Sequence, residues 1–396
     1  MQNLIPYGKQ TIEKNDIISV QKALKKNLLT TGPGVKLFEN KFSKYVRCKY
    51  SLTSNSGTSA ILLALKAINL QKNDVVIVPA INFIAAANLS KILGAKVYFS
   101  DVDKFTGQMT PANLLDCIKL NKIKKVKVFF IMHNGGFNNF AKEFYRIKKK
   151  LKCIIIEDAC HALGANNSKK KNDLVGNCKY SDLTTFSFHP LKTITTGEGG
   201  MTTTNNLNFY NLMCQYRNHG FKLKKRQKGY TREHKLNFCG YNLRLTDFQC
   251  YLGISQLKKI NYFLKKRNEL AKYYFKKLNQ LDDYIILPKK NKYYSAWHLF
   301  VVLFKLENLR VSRDRIIKIL MNSGIKTQVH YVPNYRQKPF LKKNKKPFKG
   351  AEFYFSRCLS IPIFPELKYK QIDFIVKIIE KVIKRNKKIP KKSHLC

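Results

Sequence analysis

The chain predicts an α/β protein with a mainly parallel sheet, followed by a smaller α+β portion. Three observations carry this. Short apolar segments recur between helical patterns along the first two hundred residues. Two of them, residues 127–132 (KVFFIM) and 153–157 (CIIIE), are apolar throughout apart from the terminal Lys127 and Glu157, as strands buried on both faces must be. After Thr204 the rhythm changes to long helical stretches and lysine-rich loops. Strands alternating with helices imply right-handed crossovers in one sheet. The expected division is a large domain over residues 1–255 and a small one over 256–396, and no internal repeat is visible.

The elements follow in order. A helical pattern covers residues 11–28, a turn follows at Thr30-Thr31-Gly32-Pro33-Gly34, and a second helix covers residues 35–46. Residues 50–54 read as a strand, Asn55-Ser56-Gly57-Thr58-Ser59 as a polar turn, and 60–68 as a strong helix. A strand at 75–79, a helix at 83–93 and a strand at 96–100 come next, then the two apolar runs. A β-rich run at 184–188 precedes a glycine cluster, Gly197, Gly199 and Gly200. Beyond it lie helical patterns at 208–217, 247–276 and 312–322. Residues 220–235 read as a mobile basic loop, the lysine-rich stretches 288–292 and 342–349 as loops, and the basic tail 384–396 as frayed.

At 396 residues and 44% hydrophobic content the chain has ample material for a core. The formal net charge of +51 raises a nucleic-acid partner as a second class of function. Against it, the basic residues are mostly Lys, spread along the whole chain, and accompanied by abundant Asn, Ile, Tyr and Phe. That suite is what A+T-rich codons produce, and no recognition helix or aromatic platform is visible, so no nucleic acid is expected. The ten cysteines include no CxxC pair and no zinc-like spacing. They read as small core hydrophobes in a reducing compartment, and no metal is expected. The start, MQNLIPYGKQ, lacks a basic region followed by an apolar one. The most apolar stretch, 75–93, is broken by Pro79, Asn82 and Asn88. A soluble cytoplasmic protein without membrane contact is the expectation.

The chemistry centres on residues 185–203, TFSFHPLKTITTGEGGMTT. Lys192 sits there among apolar and hydroxyl-bearing neighbours. Burial among such groups disfavours the ammonium and makes the amine a nucleophile, as a Schiff-base lysine requires; a lysine in a polar turn is the plainer alternative. The turn 55–60 opens a helix, so its free N–H groups and the helix dipole suit a phosphate, though on its own an ordinary N-cap is the plainer reading. Asp158, at the end of the 153–157 run, points toward the crevice where α/β sheets bind ligands. Such a carboxylate either pairs with a cation, such as a protonated pyridine nitrogen, or caps a following helix. Phe83, just after a strand end, can stack on a flat ring or simply pack. Asn242 and Arg244 stand just ahead of the long helix at 247.

Together these segments, SNSGTSA, EDACHALGA, SFHPLKTITTGEGG and GYNLRLTDFQCYLGISQLKKI, resemble the DegT/DnrJ/EryC1/StrS sugar aminotransferases over nearly the whole chain. The resemblance implies the fold type I of pyridoxal 5′-phosphate enzymes, with a mainly parallel seven-stranded sheet and flanking helices. It implies that Lys192 bonds to the cofactor aldehyde, Asp158 pairs with the pyridine nitrogen, and His161 lies near the ring's phenolic oxygen. Thr58, Ser59 and Ser187 would hold the phosphate, with Ser56 and Gly57 also at the cofactor and Phe83 against the ring. Asn242 would reach the cofactor of a partner subunit, making a homodimer with shared active sites.

RNHG at 217–220, SAWHL at 295–299, TQVHYVP at 327–333 and LSIP at 359–362 are similar to the branch of that family serving pseudaminic acid biosynthesis. By that similarity Tyr7, Leu29, Thr30, Ser56, Lys192, Asn242, Gln328, His330 and Tyr331 would contact a nucleotide sugar, a UDP-linked 4-keto-6-deoxy-N-acetylhexosamine. Residues 132–139, MHNGGFNN, depart from the family's usual loop, and GDP- or dTDP-linked sugars of the perosamine type stay open. The implied reaction is a ping-pong transamination with glutamate as donor, in which Lys192 acts as general base and then acid.

Overall fold

Seven strands form the main sheet of the computed structural model, which describes residues 4–170, 172–221, 236–288, 293–341 and 348–388. They are β1 (Tyr50–Ser54), β2 (Val75–Pro79), β3 (Lys96–Ser100), β4 (Val128–Met132), β5 (Ile154–Asp158), β6 (Leu183–Ser187) and β7 (Gly200–Thr204). Their spatial order is β1-β7-β6-β5-β4-β2-β3. β7 runs antiparallel to both neighbours, while β6, β5, β4, β2 and β3 pair in parallel. The carboxyl ends of β1, β2, β4, β5 and β6 therefore gather at one edge, where such sheets bind ligands.

Residues alternate across β4: Val128 and Phe130 join one core, Phe129 and Ile131 another. Both faces are covered, which is why this strand is apolar along its length. One face is covered by α3 (Gly57–Ala67), α4 (Ala85–Ile92) and α7 (Leu207–Arg217), the other by α5 (Pro111–Leu120) and α6 (Ala141–Leu151). A third cluster joins α2 (Pro33–Val46) and α8 (Asp247–Lys258) to Phe186, Phe188 and Met201. α1 (Lys14–Leu24) packs against α8.

The C-terminal core is built on a three-stranded antiparallel sheet, β10-β9-β8, from β8 (Ile285–Ile286), β9 (Phe300–Phe304) and β10 (Cys358–Ile361). α9 (Ile260–Leu278), α10 (Arg313–Asn322) and α12 (Tyr369–Asn386) enclose it, and α11 (Lys349–Arg357) packs beside β9. Ile5 belongs to this core too, bridging to Ile325.

Several boundaries differ from the sequence reading. The first helix begins at Lys14, because Glu13 and Asp16 form a reciprocal cap, and ends at Leu24 rather than residue 28. The helix expected at 83–93 spans Ala85–Ile92, leaving Phe83 outside. The stretch 247–276 is two helices broken at Lys259, whose ammonium binds Glu13 and Asp16 at 3.1 and 2.6 Å. Ser312 caps α10 by accepting from the Arg315 N–H. Of the expected loops and tail, residues 222–235, 289–292, 342–347 and 389–396 lie outside the described residues, while Lys384, Arg385 and Asn386 end α12. Among the described residues no helix is long and apolar enough to cross a membrane.

Candidate active site

β1 delivers the chain into the polar turn at the carboxyl edge. Ser56 is the N-cap of α3, its hydroxyl accepting from the Ser59 N–H at 3.1 Å. The Ser59 hydroxyl lies 2.6 Å from Asn55 Oδ1 and 3.0 Å from the Ser56 hydroxyl. β6 ends beside this turn: a Cβ on Gly57 would stand 2.9 Å from the Ser187 Cβ. The missing methyl and the first-turn N–H groups of α3 leave a cradle shaped for an anion. Thr58 is exposed at its rim.

Asp158 ends β5, with one carboxylate oxygen accepting from the Cys160 N–H at 3.2 Å. A tight turn follows rather than a helix, so the helix-cap alternative falls away. Lys192 lies in the loop between β6 and β7, which is pinned where Thr196 N–H and the Thr195 hydroxyl both donate to the Phe188 carbonyl. Burial holds the Lys192 amine below the usual lysine range, opposed by Cys160 and Asp158. A buried lysine whose ammonium form is disfavoured, beside a carboxylate, is equipped to act as a nucleophile and proton carrier.

Around Lys192 stands a neutral aromatic wall. His161 Nε2 lies 3.0 Å from the Tyr331 hydroxyl. His298 packs tilted against His161 with ring centroids 4.3 Å apart. His330 Nδ1 lies 2.8 Å from the Ser360 hydroxyl, with Tyr7 at 5.7 Å between centroids. Burial and the nearby Lys192 charge hold His161 and His298 well below the usual histidine range and His330 at about 3. Phe83 is half exposed and meets Tyr331 edge-on at 5.9 Å.

The structure thus gathers Lys192, Asp158, His161, His330, Tyr331, Tyr7 and Phe83, with the turn Ser56-Gly57-Thr58-Ser59 and Ser187 at the same edge. Gln328 is exposed, and its backbone pairs with Ser360. Leu29 and Thr30 lie outside the cluster, on an exposed turn held where the Asp247 carboxylate takes the Gly32 and Gly34 N–H groups. Asn242 is also exposed, beside the polar turn, where the Leu243 carbonyl accepts from the Asn55 N–H.

Two residues escaped the sequence reading as site members. His298 was visible only as part of the SAWHL motif. Asn82, directly before Phe83, is 1% exposed with neither amide atom partnered. An amide inside an otherwise apolar strand end was the available signal.

The family described as the DegT/DnrJ/EryC1/StrS aminotransferase family matches residues 10–380. The UDP-4-amino-4,6-dideoxy-N-acetyl-beta-L-altrosamine transaminase of Campylobacter jejuni is 33% identical over 97% of this chain and 99% of its own. Among solved structures, Helicobacter pylori PseC, an aminotransferase involved in the biosynthesis of pseudaminic acid, superposes with a TM-score of 0.87 at 28% identity, covering 96% of this chain and all of that one. Bacillus subtilis NtdA, solved with bound PMP, the aminated form of pyridoxal 5′-phosphate, is 26% identical with a TM-score of 0.81, over 94% of this chain and 83% of that one. The residues at the carboxyl edge fit such a group. The α3 cradle suits a phosphate, Asp158 has a carboxylate oxygen to spare for a ring nitrogen, Asn82 has unpartnered amide atoms, and Lys192 supplies the amine.

Proposed function

Because this chain belongs to the DegT/DnrJ/EryC1/StrS aminotransferase family, we propose that it aminates the keto carbon of a UDP-linked 4-keto-6-deoxy-N-acetylhexosamine, with glutamate as donor, in pseudaminic acid-type sugar biosynthesis. It is a sugar aminotransferase, and pyridoxal 5′-phosphate is its cofactor. The enclosure of Lys192 by Asp158, His161 and the His330–Tyr331 wall at the carboxyl edge supports the chemistry, and the similarity to the altrosamine transaminase supports the substrate.

When bound, the cofactor supplies an aldehyde for an amine to condense with and a ring that takes up the electron pair of a broken C–H bond. The chain's own residues do the rest. The α3 N-terminus, Ser56, Thr58, Ser59 and Ser187 bind the phosphate dianion. Asp158 would hold a proton at the ring nitrogen, and Phe83 would pack against the ring. His161, fixed by Tyr331, would offer a neutral hydrogen-bonding group to the phenolic oxygen. Lys192, whose ammonium form is disfavoured by burial, would take the proton from the donor's α-carbon and hand it to the carbon on the other side of the bound nitrogen. Tyr7, Gln328, His330 and Tyr331 form the wall for the sugar.

Leu29, Thr30 and Asn242 serve the nucleotide sugar and cofactor of a second subunit in a homodimer with shared sites. Their exposure on one chain supports this, as do the half-exposed side chains of Leu24, Leu28 and Leu37. The described cysteines are free thiols, in keeping with a reducing cytoplasm.

The test is product analysis by NMR after incubation with pyridoxal 5′-phosphate, glutamate and a panel of UDP-, GDP- and dTDP-linked 4-keto-6-deoxy sugars. A 4-amino product from the UDP-N-acetylhexosamine substrate, formed at least about tenfold faster than the others, is expected. Preferential amination of a GDP- or dTDP-linked sugar overturns the substrate assignment and leaves the class of reaction standing.

A further inference from the structure

Among the described residues the His161 ring has one hydrogen-bond partner. Its Nε2 lies 3.0 Å from the Tyr331 hydroxyl, while its Nδ1 is buried without a partner. One bond at one ring atom leaves an imidazole free to tilt about it, so packing has to set the tilt. The rings of Tyr331 and His330 stand 6.1 and 6.2 Å away between centroids. The ring of His298 stands at 4.3 Å, inclined by 37°. Burial, His161 and the Lys192 charge hold His298 well below the usual histidine range, so it lies against His161 as a neutral ring.

The backbone around His298 is built for this contact. Gly136, at φ +104°, lets the two histidine segments close on each other. A Cβ there would stand 2.6 Å from the His161 carbonyl oxygen and 3.1 Å from the His298 backbone nitrogen. The Gly136 carbonyl accepts from the Ala296 N–H and the Ser295 hydroxyl, both at 2.9 Å, and the Gly135 carbonyl from the Leu299 N–H at 3.3 Å. From the C-terminal core, buried Arg267 of α9 donates through Nη1 to the Trp297 and His298 carbonyls at 3.2 and 3.4 Å and to the Ile363 carbonyl at 2.9 Å. Tied in this way, Trp297 takes a φ of +43°. A bulky residue rarely adopts that conformation, and it persists only where the surroundings impose it.

We propose that His298 is a positioning residue. Packed on the His161 ring, it sets the tilt at which that imidazole meets the cofactor's phenolic oxygen, and it acts through His161. The inference rests on the role given to His161 above.

The test compares His298→Ala with His298→Phe, which keeps a flat ring on His161. The first readout is independent of turnover. It is the ring ¹⁵N signal of His161 in histidine-labelled apo-protein, identified as the one missing from His161→Asn; it follows the hydrogen bond to Tyr331. The signal should shift in His298→Ala and stay near its native position in His298→Phe. The second readout is steady-state kinetics with the UDP-linked 4-keto-6-deoxy-N-acetylhexosamine. His298→Ala should lower kcat about tenfold and change KM less than about twofold, while His298→Phe stays within about threefold of native. Added to His161→Asn, His298→Ala should cost less than about twofold, because the residue it acts through is already gone. If His298→Phe does not fold, the His161→Asn background carries the comparison. A native His161 signal in His298→Ala, a folded His298→Phe as impaired as the Ala variant, or the full tenfold loss in the His161→Asn background overturns the proposal. A native kcat in His161→Asn beside a shifted signal in His298→Ala overturns instead the role given to His161, and the contact between the two rings stands.

Discussion

Tyr331 fixes His161: its hydroxyl lies 3.0 Å from Nε2, and the two rings stack with centroids 6.1 Å apart at 25°. The partners come from opposite ends of the fold, His161 from the turn after β5 and Tyr331 from the segment between α10 and β10. Tyr331→Phe removes the hydroxyl and leaves a buried ring nitrogen unsatisfied, an about 1–3 kcal/mol effect. Steady-state kinetics should show kcat reduced about tenfold, the KM for the sugar raised, and the fold kept. An unchanged kcat would show that Tyr331 does not hold His161 for the reaction.

The same histidines make the apo-protein acid-sensitive. His330 is pushed from 6.5 to about 3 by burial and the Lys192 charge, and His161 and His298 are pushed the same way. Between pH 6.5 and those lowered values the unfolded chain binds more protons than the folded one. Stability therefore falls as pH drops below about 6.5, by up to about 1.4 kcal/mol per pH unit for each histidine. Urea unfolding at pH 7, 6 and 5 measures the slope. His330→Asn should lessen it by one proton; an unaltered slope refutes the assignment.

Lys192→Ala should abolish amine transfer, with a loss of at least about a thousandfold, since both nucleophile and proton carrier go. The check independent of turnover is borohydride reduction of protein loaded with pyridoxal 5′-phosphate. The native chain should carry the label on the peptide containing Lys192, and the Ala variant should carry none there. A label elsewhere, or an active variant, moves the chemistry to another amine.

Much of this was legible in the sequence, for local reasons. The limits of β1, β2 and β3 coincide with their expected ranges, because each is a short run rich in β-branched and aromatic residues bounded by turn residues. The placement of Asp158 at a strand end and of Lys192 just after a strand followed from the same local pattern, while β7, reading as a glycine cluster in the sequence, did not. What escaped depends on contacts distant in the chain. The break at Lys259 is set by an ion pair to Glu13 and Asp16, while helical periodicity runs on through it. The first helix stops at Leu24, although the apolar Leu28 continues its pattern. His298 reaches His161 from just ahead of β9, in the other sheet, and no local pattern encodes that contact.

The phosphate cradle offers the sharpest steric test. A methyl on Gly57 would stand 2.9 Å from the Cβ of Ser187 and 3.4 Å from its Cα, closer than side chains tolerate without movement. Gly57 is the first residue of α3 and has ordinary backbone angles for a helix start, so Gly57→Ala introduces no backbone strain. Alanine even favours the helix by up to about 1 kcal/mol. The displaced side is β6 at Ser187, which frames the anion. Cofactor retention should therefore weaken about tenfold while the melting temperature of the apo-protein stays within a few degrees of native. Fluorescence titration with pyridoxal 5′-phosphate measures the first, and thermal unfolding of the apo-protein the second. Undiminished cofactor affinity in Gly57→Ala would place the phosphate somewhere other than between α3 and β6.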